Sequence, residues 1–309
     1  MLGPQRFSPT VGDINRALEA RGRVAIVTAG WQEREAEDEE LRAALELPAL
    51  NLRLHARAEQ VFAAHPELFA AYRQRQDSLR QLQHLYRRRL RHAMDAVREL
   101  FALLPRPPLE MPVPRLQQEV SSALLAVRQL DERHMQQVAE VWQDHTEALE
   151  GQVFGELVAH RGQLLEEVEG SEVVAIAGGH VASLLNRLRI FGLANSFRGR
   201  HLLCWSAGAM VLSERIVLFH DCPPQGRGDA EILGAGLGLL PGVLALPHAG
   251  RRLLLDDPTR VGRFAQRFAP YRCVALDPGS EVRFTDTGEG QWAFTDLQAA
   301  CLQEDGICN

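Results

Sequence analysis

The sequence contains no lysine; every one of its 34 basic residues is an arginine. That excludes chemistry that needs a side-chain ammonium: a Schiff-base lysine, a Walker lysine or a Ser-Lys dyad. Cysteine is sparse and irregularly placed. Cys204, Cys222, Cys273, Cys301 and Cys308 form an odd set with no C-x-x-C spacing. They are expected to be free thiols of an intracellular chain rather than a disulfide framework or a zinc site. No apolar run approaches membrane-spanning length, and Met1-Leu2-Gly3-Pro4-Gln5-Arg6 lacks the apolar core of a signal peptide. A cytoplasmic location without membrane contact is therefore expected. An excess of basic charge is missing too. The net charge is −6, which speaks against a nucleic-acid partner. Metal-ligand spacings, a dinucleotide loop and cofactor signatures are all lacking, so neither metal nor cofactor is expected.

What is present is an ordinary globular composition, 46% hydrophobic over 309 residues, enough to bury a substantial core. Three parts can be distinguished. Residues 1–56 begin an α/β domain. A short helix signal lies around Ile14 to Ala20, and an apolar strand at Val24 to Val27 ends in the turn Thr28-Ala29-Gly30. The acidic stretch Glu33 to Glu40 reads as the solvated first turn of a helix from Glu39 to Leu47. Leu50 to Leu54 alternates as a strand does.

Residues 57–169 differ in kind. Leu79, Leu82, Tyr86, Leu90, Ala93, Val97, Leu100 and Leu104 recur at steps of three and four, one face of a long helix. Pro105 to Pro108 and Pro112-Val113-Pro114 interrupt it. A second helical stretch runs from Leu116 to Val168. Together they predict an inserted α-helical hairpin whose apolar stripe buries against the rest of the chain or a second copy. A homodimer through the hairpin is expected on that ground. Arg87-Arg88-Arg89 beside His92 reads as a solvated face rather than a nucleic-acid contact.

Residues 170–309 complete the α/β domain. Short apolar strands at Val173 to Ile176, Leu202 to Trp205, Ile216 to Phe219, Val243 to Leu246, Val274 to Leu276 and Val282 to Phe284 are interspersed with helix signals at Ala182 to Phe191, from Ala207, and at Thr259 to Phe268. This alternation predicts a mostly parallel sheet flanked by helices.

The chemistry concentrates at the strand ends. In Cys204-Trp205-Ser206-Ala207-Gly208-Ala209 a buried strand stops at a serine and small residues lead into a helix, as a nucleophile elbow requires. The turn would aim the Ala207 N–H at a developing oxyanion. The alternative is a plain turn with serine as N-cap. A serine hydroxyl needs a base. His248 ends the strand Val243 to Leu246 after Pro247, at the sheet edge where ligands bind in open α/β folds; a structural turn histidine is the alternative. Asp221 follows another strand and could orient the imidazole, or be a loop aspartate. Gly178-Gly179 closes a strand and permits close backbone approach.

These residues resemble a known family. Ala177-Gly178-Gly179-His180, Trp205 to Ala209 and Leu246-Pro247-His248 are similar to stretches of the aspartyl dipeptidase (peptidase E) and cyanophycinase family, serine peptidases whose fold is like that of class I glutamine amidotransferases. The resemblance covers about residues 171–285. It implies Ser206 as nucleophile, His248 as general base and then acid, Asp221 as orienter, and an oxyanion hole from the N–H groups of Gly179 and Ala207. Thr259-Arg260-Val261-Gly262-Arg263 resembles the family stretch whose first arginine grips an aspartyl carboxylate, so Arg260 is the candidate clamp. Gly178 and His180 are further candidate substrate contacts, with His180 standing where the family has asparagine or aspartate. Leu276-Asp277-Pro278-Gly279 replaces a Glu-Gly element and makes Asp277 a second candidate acid. The expected activity is hydrolysis of a peptide or isopeptide bond in a small, aspartyl dipeptide-like substrate. A catalytically silent binding or scaffolding protein that uses the hairpin is the alternative.

Overall fold

The computed structural model describes residues 1–108, 110–220, 228–287 and 292–308. Asp221 and Cys222 lie outside them. Helix α1 (Val11–Ala17) leads into β1 (Val24–Val27), α2 (Glu39–Leu45) and β2 (Ala49–Asn51). Four helices follow: α3 (Leu54–Ala64), α4 (Pro66–Leu103), α5 (Val113–Ala148) and α6 (Gly155–Glu169). The chain then runs through β3 (Val173–Ile176), α7 (Val181–Ile190), β4 (His201–Cys204), α8 (Ala207–Leu212), β5 (Arg215–Leu218) and β6 (Glu231–Ala235). Next come β7 (Val243–Pro247), α9 (Ala249–Arg252), α10 (Pro258–Phe268) and β8 (Arg272–Leu276). Strands β9 (Glu281–Asp286), β10 (Trp292–Gln298) and β11 (Ala300–Leu302) end it.

The short apolar runs become central strands because a strand covered by helices on both faces has no wet side to mark with polar residues. Strands β2-β1-β3-β4 form one sheet, parallel throughout. In a second sheet β7 and β8 are parallel, and β11 adds antiparallel at the edge. The pairs β5-β6 and β9-β10 are antiparallel. The molecule is thus a mixed α/β fold with parallel sheets flanked by helices, as the alternation predicts.

Local differences have physical reasons. The stretch from Leu116 to Val168 is two helices, since α5 stops at Ala148 and the chain turns through Gly151 at φ 76° before α6. A positive φ there suits glycine. The alternation from Leu50 is strand only as far as Asn51, and Leu54 opens α3. The acidic stretch is not simply solvated. Glu35 and Asp38 are buried. The Glu35 carboxylate accepts from the N–H groups of His55 and Ala56 in the first turn of α3, where negative charge is favoured. Burial nonetheless holds its pKa above the ordinary carboxylate value. Asp38 accepts from the Asn51 amide and from Arg42.

The hairpin stripe is covered by the chain itself. Tyr86, Leu90 and Val97 of α4 and Val127 of α5 share a core with Ile232, Leu244, Leu246 and Phe264. Two arginine devices fix the docking. Arg267 of α10, 4% exposed, donates to both carboxylate oxygens of Asp131 at 2.8 Å and to the Tyr86 hydroxyl at 3.0 Å. Tyr86 donates in turn to Asp131 at 2.7 Å, and His134 stacks on its ring at 4.0 Å. Closer to α7, the Arg75 guanidinium lies between the rings of Tyr72 and Trp142, at 4.1 and 3.8 Å, with Arg189 of α7 on Trp142 at 4.3 Å. Burial, and then Arg75, bring Arg189 down to about 10.

Truncating Asp131 would leave the Arg267 charge buried without a counter-ion, which costs about 3–5 kcal/mol. Urea unfolding of Asp131→Ala should show a loss of that size. A loss below about 1 kcal/mol would mean that the pair does not hold the hairpin.

Candidate active site

The parallel register β3-β4 brings Ile176 beside Cys204, so the chain leaves both strands at the same sheet edge. Ser206 follows at φ 51°, ψ −125°, a sparsely populated conformation that non-glycine residues hold only when their surroundings enforce it. Its neighbours show how it is enforced. A Cβ on Gly208 would come within 2.2 Å of the Ile176 carbonyl oxygen, so only glycine lets α8 seat against the end of β3. A Cβ on Gly178 would lie 2.7 Å from the Ser206 Cβ and 3.6 Å from the Ala207 nitrogen. Gly178 therefore passes directly beside the turn. Gly179, at φ 112°, lies against Gly30, whose carbonyl accepts the His180 N–H at 2.7 Å. The turn Thr28-Ala29-Gly30 and the glycine pair thus clasp each other at the mouth of the site.

Ser206 precedes α8 but makes no side-chain cap hydrogen bond. Its Oγ lies 3.3 Å from Nε2 of His248 instead. His248 stands at φ 58°, ψ 38° after β7, with its N–H on the Leu276 carbonyl at 3.0 Å. The register Pro247↔Leu276 between β7 and β8 carries forward, and sets Asp277 alongside His248. The Asp277 carboxylate accepts the Gly250 N–H at 3.1 and 3.0 Å, tying down the turn that carries the histidine. Half-burial first, then Arg252 and Arg251, hold the His248 pKa below its ordinary value, while Asp277 raises it. These two arginines gave no signal in the sequence beyond their place four and three residues after the histidine.

The remaining candidates occupy distinct places. Ala207 opens α8 beside Ser206. The exposed His180 caps α7, its Nδ1 accepting the Ser183 N–H at 3.2 Å. Arg260 stands in the first turn of α10 and lines a cleft of about 360 Å³ facing α4, in whose described lining neither Ser206 nor His248 takes part. Asp221 lies outside the described residues.

Parallel strands covered by helices, with a serine on a strained strand-to-helix turn and a histidine within reach of its oxygen, are the architecture of an α/β serine hydrolase. The sequence profile of peptidase family S51 matches residues 126–288, just over half of the chain, and the chain belongs to this family of serine peptidases, which includes peptidase E and cyanophycinase. The match takes in Ser206, His248, both candidate acids and Arg260, and leaves α4 outside it. No curated protein matches the sequence. Among solved structures, a peptidase from an acI-B1 Actinobacterium aligns over 98% of this chain and 89% of its own, at 13% identity and a TM-score of 0.44. Among the described residues, no helix is long and apolar enough to cross a membrane.

Imidazole titration by NMR should place the His248 pKa below 6.5. Asp277→Asn should lower it further, because removing a nearby anion disfavours the imidazolium. A wild-type value above 6.5, or a rise in the variant, would contradict this electrostatic picture.

Proposed function

We propose that the protein hydrolyses a peptide or isopeptide bond in a small, aspartyl dipeptide-like substrate through an acyl-enzyme on Ser206. The Ser206 Oγ to His248 Nε2 contact of 3.3 Å carries this reading. Such contacts tighten when substrate binds. In the first half-reaction Oγ attacks the scissile carbonyl carbon while Nε2 takes the hydroxyl proton. The carbonyl oxygen becomes an oxyanion that accepts from the N–H groups of Gly179 and Ala207. The imidazolium then gives its proton to the amine nitrogen, the C–N bond breaks, and the acyl group stays on Oγ. In the second half-reaction His248 takes a proton from water, the hydroxide attacks the ester carbon, and the proton returns to Oγ. The depressed His248 pKa suits the first step, since the base must be neutral at pH 7.

A positioned general base is worth 10²–10⁴-fold, about 3–5 kcal/mol, and one oxyanion donor about 3–4 kcal/mol. Asp221 is the proposed orienter of the imidazole, by its family match. Asp277 is the second candidate, supported by its place beside His248 at the end of β8. Gly178, His180 and Arg260 are the proposed substrate contacts, with Arg260 as clamp for an acidic side chain. A cytoplasmic location belongs to the same proposal.

A dipeptide screen with Asp-X, Glu-X and β-linked Asp-Arg should reveal hydrolysis by the wild-type chain. Ser206→Ala and His248→Ala should lower kcat by about 10⁴-fold or more. Of Asp221→Asn and Asp277→Asn, the variant with the greater loss identifies the orienting acid. Undiminished activity in Ser206→Ala would defeat the proposal.

A further inference from the structure

The cleft lined by Arg260 is built in large part by the inserted hairpin. Its other wall is α4, through Arg87, Arg91 and Arg98, and its floor includes Asp229 and Glu231. Its Arg260 side lies toward the sheet edge that carries the histidine. Strands β7 and β8 are parallel, so the connecting helix α10 runs back against them and its first turn lies at their C-terminal ends. His248 leaves β7 at that edge, and Arg260 stands in that first turn. The later half of α4 is held there by packing, with Met94 and Val97 in one core with Leu253 and Val261.

The described lining sets the guanidinium groups of Arg87, Arg91, Arg98 and Arg260 beside the carboxylates of Asp95, Asp229 and Glu231. Arg87 is fixed by a two-pronged pair with Glu231, at 2.7 and 2.9 Å. Arg98 is clasped by Asp95 and Asp229. Those three carboxylates are therefore engaged as anchors. Arg91 is exposed and makes no ion pair among the described residues, and Arg88 beside it is alike in both respects. Arg263 of α10 is held below its ordinary pKa by burial and then by Arg260 and Arg98, with Asp229 and Asp257 opposing. This concentration of guanidinium groups belongs to a chain whose net charge is −6. The described lining of the cleft itself has no phenyl, phenol or indole ring on which a nucleobase could stack. Guanidinium groups fork onto carboxylates as they do onto phosphates.

We propose that the cleft between α4 and α10 is a binding site for the carboxylate side chains of an acidic peptide, separate from the pocket for the residues at the cleaved bond, with Arg91 as its specificity-determining residue. It rests on the serine-peptidase reading for what becomes of the bound peptide, and not for the binding itself. Because α4 lies outside the family match, this recognition is an addition carried by the chain's own insertion.

The test is fluorescence anisotropy of fluorescein-labelled hexaglutamate with the full chain carrying Ser206→Ala, so that binding is read without hydrolysis. Hexaglutamate should bind and hexaglutamine should not. Adding Arg91→Gln should weaken binding about tenfold, the loss of one charge-assisted contact, and Arg91→Glu should weaken it more. Both changes fall on an exposed side chain, and circular dichroism checks that the fold is kept. Raising the salt should weaken binding as well. Equal affinity in the Arg91 variants, or no binding of hexaglutamate, would overturn the proposal. Tighter binding of a single-stranded oligonucleotide than of hexaglutamate would overturn it too. Failure of Ser206→Ala to abolish hydrolysis defeats the catalytic reading alone and leaves this binding result standing.

Discussion

The contact between the Ser206 hydroxyl and the His248 imidazole joins the ends of two strands that belong to separate hydrogen-bonded sheets. Neither strand alone could set that distance. It depends on β3 holding β4 in register, on β8 holding β7, and on the helices that cover both sheets. Local backbone strain is concentrated at the same place, with both residues at positive φ. Such conformations persist only where packing over-determines them. The close passage of Gly178 beside the serine, and of Gly208 against β3, leaves no room for larger residues.

The absence of lysine has a structural counterpart. The hairpin is docked through arginines that use properties an ammonium lacks. Arg75 lies against two aromatic rings, and Arg267 forks onto a buried carboxylate while reaching a phenol hydroxyl. Planarity and a fixed fork of donors make both arrangements possible. A buried pair of this kind is weak evidence of net stability, yet it is costly to break. It sets where the two long helices lie against α10, and through them how α4 faces the edge of the sheet that carries the site.

Much of this organisation was legible in the residues. Buried parallel strands announce themselves as short apolar runs, and β1, β3 and β7 fall within a residue of their predicted limits. Gly208 after Ser206 marks the elbow because a Cβ there would meet the Ile176 carbonyl. Other features were hidden for identifiable reasons. The break between α5 and α6 depends on a single glycine turn within a continuous helical pattern. Strands β6, β10 and β11 are short or half-exposed, so their periodicity is weak. The closeness of Asp277 to His248 comes from strand register, which pairs residues far apart in the chain. The burial of Glu35 and Asp38 inside an acidic run is a tertiary effect that charge patterning alone reads as solvation.

The central claim is that one hydroxyl, out of all those in the chain, is made reactive by its surroundings. Incubation with a fluorophosphonate probe followed by peptide mass mapping tests it most directly, since the reagent modifies activated serines and spares ordinary ones. The account predicts one adduct per chain, on Ser206, and its loss when His248 is replaced by alanine. An unmodified Ser206, or an adduct that forms equally well without the histidine, would contradict it.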